Sequence, residues 1–385
     1  MITEKLYDKD SFIKDFEATV LECYRYFENY CVILDKTAFF PESAGQGCDK
    51  GVLGDAKVLD VQIKDGKILH ITDKPLQVWN NVKGTIDFDR RFDFMQQHSG
   101  EHIISGVAHS LYGCENVGFH LSEDIVTLDF DKILDSSQLK KIEKLSNSKI
   151  WDNVRFFTYY PDSESLKNLN YRSKKELDGD IRIVEIENTD ICACCAPHVK
   201  TAGQIGLIKL LNTEKIRGGT RIEIKCGGRA LDDYNQKYKN TLEISAMLCV
   251  KQNEVSKGVK NMLEHTKTIK SQLSDYKTAL ITHRIEKLDL KNSVTCVFEE
   301  DLSPRDLQHF ADSLFKKAGG LRAVFTPAAD GFSFAICGEI DKLDSFFADF
   351  KNRFAVKGGG RNGMVQGTAK AEKSHLIDFF EKSAY

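Results

Sequence analysis

No segment of the sequence approaches the roughly 20 consecutive apolar residues that a bilayer-crossing helix needs, which argues against a helical membrane span. The opening stretch MITEKLYDKDSFIKDFEATV also lacks the basic-then-apolar order of a secretory leader, so a cytoplasmic location is expected. Nor is one sign of charge in excess: 54 Lys and Arg against 57 Asp and Glu leave a formal net charge of -3. A body this close to neutral is not a globally basic nucleic-acid binder, and any contact with phosphate has to come from local patches. Internal repeats and low-complexity stretches are absent, and no proline falls between 230 and 290. What is present is 385 residues with 41% hydrophobic content, enough for two or three domains with cores of their own. The eleven cysteines, in a chain of this size without a leader, read as reduced thiols or metal ligands rather than disulfides.

Four segments follow from the patterning. Residues 1–85 alternate short apolar runs with Gly, Asp and Asn turns (YCVILDKTAFF, GDAKVLDVQIKDGKILHI), which predicts a small domain of antiparallel strands. Over 86–228, a helix at 94–112, a hairpin at NVGFHLSEDIVTLDF, a helix near 136–150 and strands at IRIVEIE, IGLIKLL and TRIEIKCGG predict an α+β domain. In 229–290, Val255, Val259, Met262, Thr266, Ile269, Leu273, Tyr276 and Leu280 follow alternating steps of four and three. That spacing predicts one long helix whose apolar seam packs on an earlier helix or on a second subunit. Over 291–385, strands at NSVTCVFEE, LRAVFTPA and FSFAICGE alternate with helices at 304–318 and 341–353, followed by a glycine-rich loop and a last helix.

The chemistry-bearing residues form two half-sites. On a helix, residues four apart share a face with Cβ atoms about 5–6 Å apart, so His98 and His102 in QQHSGEHI can share one ion. The stretch DICACCAPHVKTAGQIG supplies a second pair, Cys194 and His198, in a loop or turn broken by Pro197. Nitrogen and thiolate donors at such spacing suit zinc. The competing reading makes Cys192, Cys194 and Cys195 small buried residues and His198 a satisfied core histidine. Four protein ligands normally close a structural site, so catalysis here requires a loosely held ligand, a fifth coordination position or a positioning role for the metal. Taken alone, HSGEH also fits the H-x-x-E-H motif of inverted zinc peptidases, with Glu101 as general base. Such a peptidase has no evident use for Cys194 and His198.

Four stretches in order, TAFFPESAGQGCDKG, QQHSGEHI, CCAPHVKTAGQIGLIKL and GGTRIEIKCGG, resemble the editing half of alanyl-tRNA synthetase and its free-standing relatives, the alanyl-tRNA editing proteins of the AlaX group. The tail KGGGRNGMVQGTAK is similar to the glycine-rich signature of the DHH-associated C-terminal domain found in the synthetase and in the long AlaX form. The resemblance covers nearly the whole chain. It implies an α+β multidomain fold: a small N-terminal β-barrel-like domain, a synthetase-type editing domain, a helical coiled-coil connector and a C-terminal α/β DHH-associated domain. It implies a trans-editing deacylase that hydrolyses the ester joining a wrong amino acid, chiefly serine and in some members glycine, to the 3′ end of tRNA(Ala).

Residue by residue, the resemblance carries the family's Zn2+ ligands onto His98, His102, Cys194 and His198, and its glycine-rich N-terminal motif onto Pro41 to Gly47, with Gly45, Gln46 and Gly47 expected at the substrate. Two departures bear on amino-acid selectivity. Ala196-Pro197 stands where the synthetase usually has Gly-Thr, and Glu101 where it commonly has a hydroxyl side chain. Glu101 lies one helical step from both histidines and is expected either to accept a proton from water or to orient His102. His120, on the expected hairpin, either reaches the terminal ribose or is simply exposed. In the tail, Gly358, Gly359 and Gly360 with Arg361, Gln366 and Gly367 expose amides beside a cation, a seat for phosphate or ribose. The implied partner is the acceptor arm and elbow of tRNA(Ala), with no membrane partner; a homodimer through the connector or the C-terminal domain stays open. The rival functions are an H-x-x-E-H metallopeptidase and a non-catalytic tRNA-binding protein with structural zinc.

Overall fold

Strand Asp15–Tyr26 buries Phe16, Ala18 and Val20 and turns Glu17 outward, the alternation of a sheet with one wet face. In the computed structural model, which describes residues 2–173 and 181–383, five further strands complete a closed barrel with it. They are Asn29–Leu34, Gly51–Leu53, Ala56–Lys64, Lys67–Thr72 and Asn81–Ile86. The ring shuts where Asp15 pairs with Thr85. Val20, Val32, Leu34, Val61, Ile68 and Ile86 fill its interior.

The next layer is a four-stranded antiparallel sheet in the order Ile208–Ile216, Gly219–Cys226, Val126–Phe130, Asn116–Leu121. Helices Phe88–Tyr112 and Ser136–Trp151 cover it, and Met95, Ile103, Ile104 and Ile142 share one core with Leu128, Ile222 and Ile224. A three-stranded sheet, Phe156–Tyr159, Ile183–Ile186 and Asp190–Ala193, packs into the same core through Phe156, Val184 and Ile186. The long helix starts six residues before its expected first turn, because the Asp87 carboxylate accepts from the Arg90 amide and caps it there.

The described chain divides into two compact units, Met1–Glu243 and Ile244–Tyr385, both of mixed α and β structure. In the second, a five-stranded sheet runs Val294–Phe298, Leu321–Ala328, Gly331–Cys337, Met364–Lys370, Ala355–Arg361. Alternation sends Val324 to one face, against Leu307, Phe310 and Leu314 of helix Pro304–Ala318. It sends Phe325 to the other, against Phe346 and Phe350 of helix Ile340–Arg353 and Phe380 of helix Lys373–Lys382.

Two expectations require correction here. The single helix across 229–290 is two, Gly227–Leu248 and Val255–Glu286. The ladder stops where Cys249 turns left-handed (φ 52°) and the Ser245 hydroxyl donates to the Val250 carbonyl at 2.6 Å. Met262, Ile269, Leu273, Tyr276 and Leu280 of the heptad seam are exposed, and the second helix instead buries Ile281 and Ile285 against the Phe310 core. The glycine-rich tail is a hairpin rather than a loop: Gly358, Gly359, Gly360 and Arg361 lie in one strand, Gln366 and Gly367 in its partner, and Asn362-Gly363 turn between them with φ of 59° and 80°. Two positive φ angles in an Asn-Gly pair are the signature of the tight turn that matches strand twist. No helix among the described residues is long and apolar enough to cross a membrane.

Candidate metal centre

Helix Phe88–Tyr112 carries His98 and His102 one turn apart on its buried face. The same helix anchors the barrel. Arg91, fully buried, is paired with Asp49 (Nε to Oδ1, 3.0 Å) and donates to the carbonyls of Ser11 at 2.9 Å and Ala38 at 2.7 Å. Asp49 in turn accepts from the Phe40 amide at 2.6 Å, so both ends of the 40–49 loop are tied to the helix. The loop is pressed against strand Asn116–Leu121, where the Leu121 amide donates to the Gly45 carbonyl at 2.9 Å. A Cβ on Gly45 would stand 2.6 Å from the Phe119 carbonyl oxygen, and its φ of 74° is left-handed, so glycine is required at this contact. The result is that Gln46, nearly fully buried, sets its Oε1 at 2.9 Å from His98 Nδ1.

Strand Asp190–Ala193 delivers the second half-site. Just past its end, the Cys194 amide donates to the Arg182 carbonyl at 3.0 Å, and Arg182 Nη1 donates to the carbonyls of Cys194 and Ala196, both at 2.9 Å. The turn so stapled, with Ala196 and Pro197 buried, brings Cys194 and His198 to the histidines of the helix. One ligand atom from each of His98, His102, Cys194 and His198 lies within 4.8 Å of all the others. Cys194 Sγ is 3.6 Å from His98 Nε2 and 3.4 Å from His198 Nε2.

Two imidazoles have their far nitrogen hydrogen-bonded, His98 Nδ1 by Gln46 and His198 Nδ1 by Ser99 Oγ at 3.0 Å, and His102 Nδ1 faces the Asp190 carboxylate across a longer 3.6 Å. Such outer contacts fix which nitrogen is left for a metal. The electrostatics agree with a thiolate in this position. Burial opposes ionisation of Cys194, but the surrounding imidazoles of His98, His102 and His198 hold its thiol well below the ordinary value. Burial pushes the neighbouring Cys192 thiol up instead. Burial depresses His198 to about 3, which keeps it neutral. Burial acts the same way on His102, but Glu101, Asp190 and Cys194 outweigh it and raise that ring to about 9 in the metal-free protein. Three imidazoles and one ionisable thiol, buried and pre-aimed, can hold a metal ion.

Glu101 is buried beside the cluster. Its Oε1 accepts from Ser105 Oγ at 2.7 Å and from Asn116 Nδ2, and its Oε2 is 3.7 Å from His102 Nε2. His120 is not brought in. It is exposed on the strand whose Phe119 packs on the His98 ring at 4.8 Å, and adjacent strand residues point to opposite faces. Gly358, Gly359, Gly360, Arg361 and Gln366 are exposed in the second unit.

A family model described as the threonyl and alanyl tRNA synthetase second additional domain matches residues 181–223, the segment that holds Cys194 and His198. The chain is 25% identical to the alanyl-tRNA editing protein AlaX-L of Pyrococcus horikoshii, over 98% of this chain and 97% of that one. Over most of its length the chain is similar to alanyl-tRNA editing proteins of the AlaX type. It is also 25% identical to the alanyl-tRNA editing protein Aarsd1 of Mus musculus, over 94% and 93% of the two chains. To the alanine–tRNA ligase of Ignicoccus hospitalis it is 30% identical over 74% of its own length, of which it spans 32% of the ligase. Against other archaeal alanine–tRNA ligases it spans 40% to 42% of their length.

Several residues of the site carry no signal at the level of motif. Asp190, Ser99, Ser105 and Asn116 are common polar residues. Ser99 and Ser105 have a local cue, since each lies three positions from His102 and helical spacing puts both on the cluster side.

Proposed function

We propose that the protein hydrolyses mischarged aminoacyl-tRNA(Ala), with seryl-tRNA(Ala) the main substrate and glycyl-tRNA(Ala) a second, releasing the free amino acid and the tRNA in the cytoplasm. The observation that carries the reading is the buried cluster of His98, His102, Cys194 and His198, in a chain matched end to end by a relative named as an alanyl-tRNA editing protein. These four residues would hold Zn2+. Bound there, the ion would supply Lewis acidity to the ester carbonyl or a seat for the substrate's amino group.

The chain's own groups supply the rest. An aminoacyl ester is already activated, so hydrolysis needs a placed water, a proton acceptor and stabilisation of the oxyanion. Glu101, with one oxygen held by Ser105 and Asn116 and the other beside His102, accepts the proton of the attacking water. Gln46 holds His98 through Oε1, while its Nε2 is buried without a hydrogen-bond partner among the described residues. A buried donor left open in this way is suited to the substrate's carbonyl oxygen. Gly45 and Gly47 keep side chains out of the loop that the terminal adenosine approaches. His120, exposed beyond Phe119, reaches RNA rather than the ester.

The second unit binds the tRNA away from its 3′ end, along the acceptor arm and elbow. Ala355–Arg361 is the edge strand of its sheet, so the outward amides of Gly358 to Gly360 are not taken by a ladder and stand beside Arg361. Gln366 and Gly367 line the partner strand. The exposed seam of Met262, Ile269, Leu273 and Leu280 is the surface on which a homodimer would form. The peptidase alternative is disfavoured by Cys194, which takes up a donor position that such an enzyme leaves to water and substrate. The test is release of free serine from Ser-tRNA(Ala), with Ala-tRNA(Ala) spared and no cleavage of peptide substrates.

A further inference from the structure

Helix Phe88–Tyr112 has a glycine, Gly106, one turn beyond His102 on the same face. The space it leaves is filled by another segment of the chain: a Cβ built on Gly106 would stand 2.6 Å from the Thr189 carbonyl oxygen and 2.7 Å from Asp190 Cβ. Only a residue without a side chain lets the Thr189–Asp190 turn close on the helix. This contact sets Asp190 Oδ2 3.6 Å from His102 Nδ1.

The carboxylate is itself clamped. Arg172 Nε donates to Asp190 Oδ1 at 2.8 Å and Arg172 Nη2 donates to Oδ2 at 2.7 Å, a two-pronged pairing that fixes the plane of the carboxylate. Arg172 is not free to swing either. Its amide donates to the Ile191 carbonyl and its carbonyl accepts from the Ala193 amide, both at 2.9 Å, so it runs beside the strand that leads into Cys194.

We propose that Asp190 and Arg172 are positioning residues for the metal centre: Arg172 orients Asp190, Asp190 sets the tautomer and ring angle of His102, and Gly106 provides the gap through which they act. This rests on the reading of the cluster as a metal site. Asp190 is not one of the four residues of the His98 cluster, and the side chain of that cluster it faces is His102.

The experiment uses the full chain, Co2+ as a spectroscopic probe and Zn2+ affinity measured by competition with a chromophoric chelator. Asp190→Asn and Arg172→Gln should each weaken Zn2+ binding about 10–100-fold, and Asp190→Asn should shift the visible bands of the Co2+ protein. Gly106→Ala keeps every polar group and should weaken binding in the same direction by displacing Asp190, which covers the case in which Asp190→Asn does not fold. In the His102→Ala background, Asp190→Asn should cost nothing further, because the residue through which it acts is gone. Unchanged affinity and unchanged bands in Asp190→Asn, or a full additional loss in the double variant, overturns the proposal. If the wild-type chain binds neither metal, the metal-centre reading itself fails and this inference falls with it, a result distinct from a wild type that binds and an Asp190→Asn variant that binds equally well.

Discussion

Gln46 Oε1 lies 2.9 Å from His98 Nδ1, joining a barrel loop to the site helix across 52 positions of sequence. The one amide then has two separable ends. Gln46→Ala removes both and should weaken zinc binding about 10–100-fold while abolishing most deacylation. Gln46→Glu keeps an acceptor for His98 but removes the open donor, so it should retain stoichiometric zinc and still lose turnover at least about tenfold. Metal analysis and single-turnover rates on the two variants check this. Equal behaviour of both would mean that the donor end has no part in the reaction.

The assignment of the thiolate is also open to direct test. Cys194 sits among three imidazoles that favour its ionised form, whereas burial disfavours that form of Cys192. Cys194→Ala should therefore lose most bound zinc, and Cys192→Ala should keep it. Atomic absorption on the purified variants reads the outcome; zinc retained in the first and lost in the second would move the ligand to Cys192.

Glu101→Gln keeps the shape of a side chain held by Ser105 and Asn116 and removes only its charge. As the proton acceptor, Glu101 should on this change lose about 10²–10⁴-fold in turnover with zinc content unaltered. A wild-type rate in Glu101→Gln would leave positioning and the metal as sufficient.

The legibility of this chain varies by the distance over which each feature is determined. His98 and His102 can be paired from sequence because helical geometry places residues four apart on one face, and Cys194 with His198 adds a matching donor set. Asp190 cannot be paired with His102 in this way, because the contact depends on Gly106 opening the helix to a turn more than eighty residues away. The break at Cys249 has no proline or glycine to mark it, and the heptad continues across 255–280 as though the helix were uninterrupted upstream. In the tail, the three glycines at 358–360 look like loop, while the decisive cue is the Asn362-Gly363 pair, which closes a hairpin when strands flank it. Those glycines lie in the strand: a Cβ on Gly358 or Gly360 would meet the carbonyl oxygen of Gln366 or Met364 at 2.2 Å or 2.0 Å.

The barrel carries a pH dependence of its own. His70 is fully buried, with Nδ1 3.1 Å from the Val32 carbonyl and Nε2 2.8 Å from the Thr37 hydroxyl, contacts that a neutral ring satisfies. Burial lowers its pKa from 6.5 to about 4, against the smaller opposing pull of the Val32 carbonyl. Between those values the unfolded chain binds a proton that the fold refuses. The stabilisation is thus complete above about pH 6.5 and is lost as pH falls toward 4, by an amount on the order of 3 kcal/mol. Urea unfolding of the metal-free protein from pH 7 to pH 4 should show this loss, and His70→Gln should flatten it. An unchanged slope in His70→Gln would assign the acid sensitivity to other groups.

The proposed reaction is hydrolysis of mischarged tRNA(Ala) beside a cluster drawn from two distant segments of the chain. It is tested most directly by following release of free amino acid from Ser-, Gly- and Ala-tRNA(Ala) with the zinc-loaded full chain and with Cys194→Ala in parallel. Serine should be released rapidly, glycine more slowly and alanine not at all, and Cys194→Ala should lose all release. No release from Ser-tRNA(Ala), or equal release by a zinc-free Cys194→Ala protein, would contradict the proposed reaction.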